Sequence, residues 1–266
     1  MTEPASGQRA GRVVLLGVPD NATAILANAL RRQVGDVAVL LEQPVPRGEL
    51  VRRRLRRLGA RTVVGQLAFL ALIAPFLRRA AQHRAREICR QHELDEQTPP
   101  DVSTTFVSVN SPEARAALRQ LQPDVVVING TRIIGAETLA ATRAPFINLH
   151  AGITPQYRGV HGAYWALADG RPDLAGATVH VVDTGIDTGP VLAQRLITVS
   201  PDDSYATYPL LQLAAGLPDL IAAVRTVLNG STLVPVEVLD PVASSRLRSH
   251  PTAVQYLANR IIRKVR

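Results

Sequence analysis

The sequence predicts an α/β protein: a Rossmann-like, mostly parallel sheet with helices on both faces, a helical insertion and a small C-terminal extension. Three observations predict it. Residues 12–41 place a short apolar run, a helix-length stretch and a second apolar run in succession, the strand–helix–strand spacing of parallel neighbours. Residues 125–129 (VVVIN) form an apolar, β-branched run suited to a central strand. Residues 146–150 (FINLH) break at Ala151-Gly152, with Pro155 beyond, so a strand gives way to a loop there. Ligands of parallel α/β sheets bind at that carboxyl end.

Taken in order, residues 12–17 (RVVLLG) read as the first strand and 18–21 (VPDN) as a turn. Residues 22–32 read as a helix with Asn21 as its N-cap, and 36–41 (DVAVLL) as the second strand. Two readings of the first loop stand open. It holds a phosphate on backbone N–H groups at the helix start, or it is a plain connection, since the glycines of a dinucleotide fingerprint are absent. Residues 102–109 read as a third strand, and Ser111-Pro112-Glu113 opens a helix ending near Gln120. A loop at 130–135, a short helix at 137–142, the strand 146–150 and a helix at 161–169 follow. The strand 177–182 runs into DTGIDTGP, and 191–199 alternates as a strand with one wet face. Residues 203–228 look mostly helical with breaks near Gly216 and Pro218, 231–240 extended, and 251–266 a closing basic helix. The division expected is a catalytic domain over 1–200, with the insertion near 47–97, and a mainly helical extension over 201–266.

At 266 residues, with 46% hydrophobic and 20% charged, the chain can bury a sizeable core. One cysteine, Cys89, excludes an intrachain disulfide framework and a Cys-based zinc site, and no metal is expected from the histidine spacing. The polar start MTEPASGQRAGR lacks an h-region, and a reducing, cytoplasmic compartment fits. The net charge is +8, yet residues 47–90 hold twelve arginines against two glutamates, a local +10, leaving −2 for the rest. That segment flanks 63–77 (VVGQLAFLALIAPFL), which is shorter than the ~20 apolar residues of a bilayer span and interrupted by Gly65 and Pro75. Either it is a helical insertion with one face on the core and its arginines in water, or a basic, apolar patch on an anionic membrane. The second reading would place the protein at the inner membrane face. Aromatic interleaving is lacking, so no nucleic-acid partner is expected. Lys264 is the lone lysine, which excludes a Walker-type loop and a Schiff-base lysine within the sheet.

On the strand 146–150, Asn148 and His150 project to one side. If the strand 177–182 is its neighbour, Asp183 and Asp187 in the glycine-rich turn meet them. An amide and an imidazolium donate to the oxyanion of an acyl transfer, and a carboxylate orients the ring and takes a proton. No nucleophilic Ser, Cys or Lys accompanies them, so transfer is expected to be direct.

Asn148-Leu149-His150, then Pro155-Gln156-Tyr157-Arg158-Gly159, then Ile186-Asp187-Thr188-Gly189-Pro190 resemble the signature of the formyltransferases that use N10-formyltetrahydrofolate. That family includes glycinamide ribonucleotide, methionyl-tRNA and aminosugar enzymes. The likeness covers residues 124–200, and 12–41 only as a generic βαβ start. It implies Asn148 and His150 at the formyl oxyanion, Asp187 handling the proton, and a folate pocket from Arg132, Ile133, Ile134 and the backbone of Asp183, Gly185 and Ile186. Tyr157, Arg158 and Asn21 are the candidates for contact with the acceptor. Plainer roles stand beside these: Asp183 capping its own turn, His161 capping the next helix, Tyr157 and Trp165 packing, Cys89 inert. The first loop departs from the glycine-rich loop of glycinamide ribonucleotide enzymes. Residues 201–266 read as too few for the C-terminal barrel of methionyl-tRNA enzymes, and no regulatory domain of a deformylase precedes Arg12. The expected acceptor is therefore an amino sugar on a nucleotide or lipid phosphate. The alternatives are glycinamide ribonucleotide, or a silent folate or nucleotide-sugar binder.

Overall fold

The computed structural model describes residues 12–98, 102–241 and 245–266; the polar start, where the lack of an h-region was read, lies mostly outside them. In chain order the elements are β1 (Val13–Gly17), α1 (Asn21–Val34), β2 (Val37–Glu42), α2 (Arg47–Leu58) and α3 (Ala60–Ala68). A π-helical turn (Phe69–Ile73), α4 (Ala74–Ala80), α5 (Gln82–Gln91), β3 (Val102–Phe106), α6 (Pro112–Leu121) and β4 (Val125–Asn129) follow. Then come α7 (Ala136–Leu139), β5 (Phe146–His150), α8 (Gly162–Ala168), β6 (Gly176–Val181), β7 (Val191–Leu196), α9 (Tyr208–Leu228) and α10 (Ala253–Ile262).

One sheet runs β3-β2-β1-β4-β5-β6-β7. β1 to β5 are parallel, and β6 runs antiparallel to both β5 and β7. The continuous apolar runs sit where both faces are covered: every residue of β1 is buried. α1 and α9 cover one face, with Ile25, Leu30, Leu217, Leu220 and Val224 in a common core with the strands. On the other face α6 places Ala114 and Leu118 against Val14, Val126 and Phe146. A third core lies off the sheet, where Phe69, Ala74 and Leu77 of the insertion meet Tyr164, Trp165, Tyr205 and Tyr256.

Two expectations are corrected. α1 is capped by Asp20, whose carboxylate accepts from the Thr23 N–H, rather than by Asn21. α9 is unbroken through Gly216 and Pro218. Gly216 lets the helix lie against the sheet, since a Cβ there would come within 2.3 Å of Leu149, and Pro218 falls on the exposed side. Residues 231–240 carry no regular element and run beside β7, with the Val236 N–H donating to the Val191 carbonyl and the Leu239 N–H to Gln194.

The insertion is fastened at several points. Arg84 of α5 reaches the buried carboxylate of Asp203 at 2.8 Å. Gln66 of α3 donates to Ser249 Oγ and the His250 carbonyl. Residues 245–250 act as a strap between insertion and sheet: Trp165 donates to the Ser249 carbonyl, and Arg158 holds Ser245.

Candidate active site

Four polar side chains meet at the end of β5. The β5–β6 register sets Asn148 directly opposite His180, and Asn148 Nδ2 lies 3.2 Å from His180 Nε2. His180 Nδ1 is 2.9 Å from the Val181 carbonyl, so Nδ1 carries the proton and Nε2 accepts from the amide. Burial, with His150 beside it, holds the His180 pKa below the ordinary value against the opposing pull of Asp187. The neutral tautomer thereby fixes which end of the Asn148 amide faces it.

His150 is buried. Its Nε2 lies 2.8 Å from the Tyr157 carbonyl and its Nδ1 3.4 Å from Asp187 Oδ1. Both nitrogens face acceptors. Gly152 permits it: a Cβ there would stand 2.2 Å from the Tyr157 oxygen and 2.7 Å from His150 Nε2, inside the hydrogen bond itself. Asp187 takes a left-handed backbone, φ 52°, in its turn. Its Oδ2 accepts from the Gly159 N–H at 2.9 Å, while Oδ1 stands 3.4 Å from His150 and 3.8 Å from His180.

Asn148, His150 and Asp187 thus converge as expected, and His180 joins them unanticipated. Its signal was present: a lone histidine in the otherwise apolar run ATVHVV, on the strand face that meets Asn148 once the pair is antiparallel.

The remaining candidates divide. Asp183 caps its own turn, accepting from the Gly185 N–H and Thr188 Oγ1, while Ile186 is half-buried in it. The Arg132 guanidinium is committed to the fold, 2.6 Å from the buried Glu42 carboxylate and donating to the Val107 carbonyl. Ile134 is core and Ile133 is exposed. Tyr157 packs under Arg248, whose guanidinium lies 5.6 Å from its ring centre, and burial pushes its phenol up to about 12. Arg158 donates from Nε and Nη2 to Ser245. Both residues therefore shape the site through backbone and strap. Asn21 donates to Glu96 and, with Ile25, Asn129, His150 and Leu213, lines a cavity of about 400 Å³ beside the catalytic edge. At the first loop the Asp20 carboxylate occupies the helix start where a phosphate would sit, so the plain-connection reading holds there. His161 does not cap α8 through its side chain; its ring bonds Tyr205 (2.6 Å) and His250 (3.0 Å). Burial lowers His161 to about 3 and His250 to about 4, leaving both neutral.

A Rossmann-like sheet carrying Asn-x-His at one strand end, with a facing Asp turn, defines an acyl-transfer class of protein. The chain belongs to the formyl transferase family, whose model matches residues 12–210. It is 29% identical over 208 residues to the methionyl-tRNA formyltransferase of Myxococcus xanthus, covering 77% of this chain and 55% of that one. The chain spans about half the length of the curated relatives it matches. Its fold is similar to glycinamide ribonucleotide transformylase 1 from Symbiobacterium toebii, with TM-score 0.55 and 19% identity over 88% of this chain and 96% of that one. A sugar N-formyltransferase from Shewanella sp FDAARGOS_354 gives TM-score 0.54 and 12% identity over 90% and 77%.

Proposed function

We propose that the protein transfers a formyl group from N10-formyltetrahydrofolate directly to the primary amine of a small acceptor, an amino sugar carried on a nucleotide or lipid phosphate. The observation that carries this is the convergence of Asn148, His150, His180 and Asp187 without a nucleophile. The sole thiol, Cys89, sits on α5 with its pKa pushed up to about 11 by burial, and Lys264 lies in the tail.

One N–H of Asn148 goes to His180, and the other is free for the charge that develops on the formyl oxygen. His150 has both nitrogens engaged, by the Tyr157 carbonyl and by Asp187, so it positions Asp187 rather than donating to that oxygen, where the role expected of it was a donor. Asp187 takes the amine proton, directly or through water. The loops at 130–135 and 183–189 suit a folate: Thr131 Oγ1 and, across the edge, both amide atoms of Gln156 are buried without a partner, and Ile133 offers an apolar face. For the acceptor, the Asp20 carboxylate caps the helix start at the first loop, where a glycinamide ribonucleotide enzyme would be expected to hold the ribose phosphate, and this disfavours glycinamide ribonucleotide. A second reading, methionyl-tRNA as acceptor, is favoured by the names of the curated relatives; the arginines of α2 would then meet the nucleic-acid backbone.

Incubation with formyltetrahydrofolate and a panel of amino-sugar nucleotides, glycinamide ribonucleotide and methionyl-tRNA tests this. Transfer to an amino sugar is expected. No transfer to any sugar, with brisk transfer to either other acceptor, removes the reading.

A further inference from the structure

The rod Ala60–Ala80 (α3, the π turn and α4) is pinned along one stripe. Val63, Gln66, Phe69, Ala74 and Leu77 face inward. The stripe steps by three to Phe69 and by five across the π turn, an extra residue that keeps Ala74 on the inner side and turns Leu72 out. The outward side is apolar: Leu72 is 75% exposed and Phe76 70%, with Val64 and Leu67 also exposed. α10 packs against this rod, Thr252 abutting Gly65 and the Tyr256 ring lying tilted 5.1 Å from that of Phe69. Its own outward side carries Val254, Leu257 and Ile261, with Ile261 and Ile262 each 77% exposed. Two neighbouring helices therefore leave eight large apolar side chains in water, an area soluble monomers seldom expose without use.

The charge around these residues is predominantly positive, with Glu49 on α2 the exception. The rod holds Arg61, Arg78 and Arg79 and no acid; α10 holds Arg260 and no acid and is followed by Arg263 and Lys264. The adjoining α2 exposes Arg52, Arg53, Arg56 and Arg57. We infer that this surface seats the protein on an anionic lipid bilayer, with the rod and α10 lying in the plane of the interface. Aliphatic side chains enter the acyl boundary while the arginines meet lipid phosphates. A nucleic acid would satisfy the arginines and leave the aliphatics in water, since its protein partners stack aromatics. A second copy would bring two uncompensated basic sets together. The rod is about 30 Å long, enough to span a bilayer, but it cannot leave the protein. Gln66 is hydrogen-bonded to the strap, and Phe69 is fully buried between Tyr205 and Tyr256. The strap that leads into α10 is bonded to the catalytic loop, Arg248 bridging Gly159, whose N–H holds Asp187. The aliphatic faces of the rod and α10 carry the inference whichever acceptor is correct, whereas the α2 arginines contribute to it only with a small acceptor.

Flotation of the full chain with vesicles of phosphatidylglycerol in phosphatidylcholine, against phosphatidylcholine alone, tests it. The protein is expected to float with the anionic vesicles only, and less so as salt is raised. Leu72→Ser with Phe76→Ser, and separately Ile261→Ser with Ile262→Ser, should each lower partitioning about tenfold or more. Arg52→Gln with Arg53→Gln should weaken it by a smaller factor. Trp165 fluorescence reports that each variant is folded, and wild-type flotation decides alone where one is not. Wild type remaining in the soluble fraction with anionic vesicles overturns the inference. So does a dimer in sedimentation that Leu72→Ser with Phe76→Ser dissociates, or retention on transfer RNA, indifferent to the apolar changes, without vesicle binding.

Discussion

Two helices among the described residues, Ala60–Ala80 and α9, are each 21 residues long and apolar enough to cross a bilayer by length and composition. They end in opposite situations. α9 lies across β5, β6 and β7 and against α1, buries Leu211, Leu217, Leu220 and Val224, and exposes Pro218, Ala222 and Arg225. The rod is held along one narrow stripe and presents Val64, Leu67, Leu72 and Phe76 to water. Apolar content alone does not decide a helix's fate; the breadth of the surface offered to it does. α9 has a sheet to cover, and through Leu149 it backs the strand that carries Asn148 and His150. The rod has only a small aromatic core and the strap to lie on. Substitutions near α9 should therefore reach the chemistry, and those on the rod's outer side should not.

The largest effect should fall at the polar cluster that α9 supports. Asp187→Asn keeps the shape of the side chain and removes the carboxylate near His150. Turnover should fall by about 10²–10⁴-fold while formyltetrahydrofolate binding, measured by calorimetry, stays within a few-fold. Unchanged turnover would take Asp187 out of the reaction. A silent binder would show no turnover in either form.

Next is α9 itself. Leu220 is fully buried in the main core, so Leu220→Ala should cost about 2–5 kcal/mol in urea unfolding. Gly216→Val drives a side chain toward Leu149, 2.3 Å from the first atom added, and should cost about 1–3 kcal/mol and lower turnover with it. A destabilised protein with intact turnover would separate α9 from the site.

A smaller, pH-dependent effect belongs to the junction between the two regions. His161 and His250 face each other and Tyr205, with Arg54 and Arg78 near and Tyr164 and Tyr256 behind. Both imidazoles are neutral when folded, whereas the unfolded chain binds protons from about pH 6.5 downward. The unfolded state thus holds more protons, and stability should fall as pH drops from there through about 4 for His250 and about 3 for His161. Above that window the contribution is constant. Melting temperature against pH, compared with His250→Gln, checks it: the variant should show the shallower acid slope.

Much of this was legible in the chain. The apolar runs at β1, β2, β4 and β5 are buried on both faces, so they carry unambiguous signals. Asn148, His150 and Asp187 were legible because their spacing is local to two strand ends. His180 was not, since its role depends on β6 running antiparallel, a property of pairing and not of the segment. Arg158 and Tyr157 looked like ligand contacts from a loop position, but a strap some ninety residues downstream occupies them. The unbroken course of α9 was hidden because Gly216 and Pro218 read as breakers locally, and only the sheet beneath shows why a glycine belongs there.

The smallest effect should be on the stability of the rod's outer side. Phe76 is 70% exposed, its neighbours Pro75 and Ala71 are exposed too, and the inward stripe is untouched by its removal. Phe76→Ser therefore loses little buried area, and surface changes of this kind fall within about 0.5 kcal/mol. Urea unfolding should give a midpoint close to wild type, and turnover with a water-soluble acceptor should be unchanged. Phe69, seven residues earlier on the inner stripe, is the matched control: Phe69→Ala should cost about 3–5 kcal/mol. A large loss at Phe76 would mean that its face is covered within the protein, and the contrast between the two apolar helices would close. A large gap between Phe69 and Phe76 keeps it open, because the same ring on one rod would then stabilise the fold on one side and serve only a partner on the other.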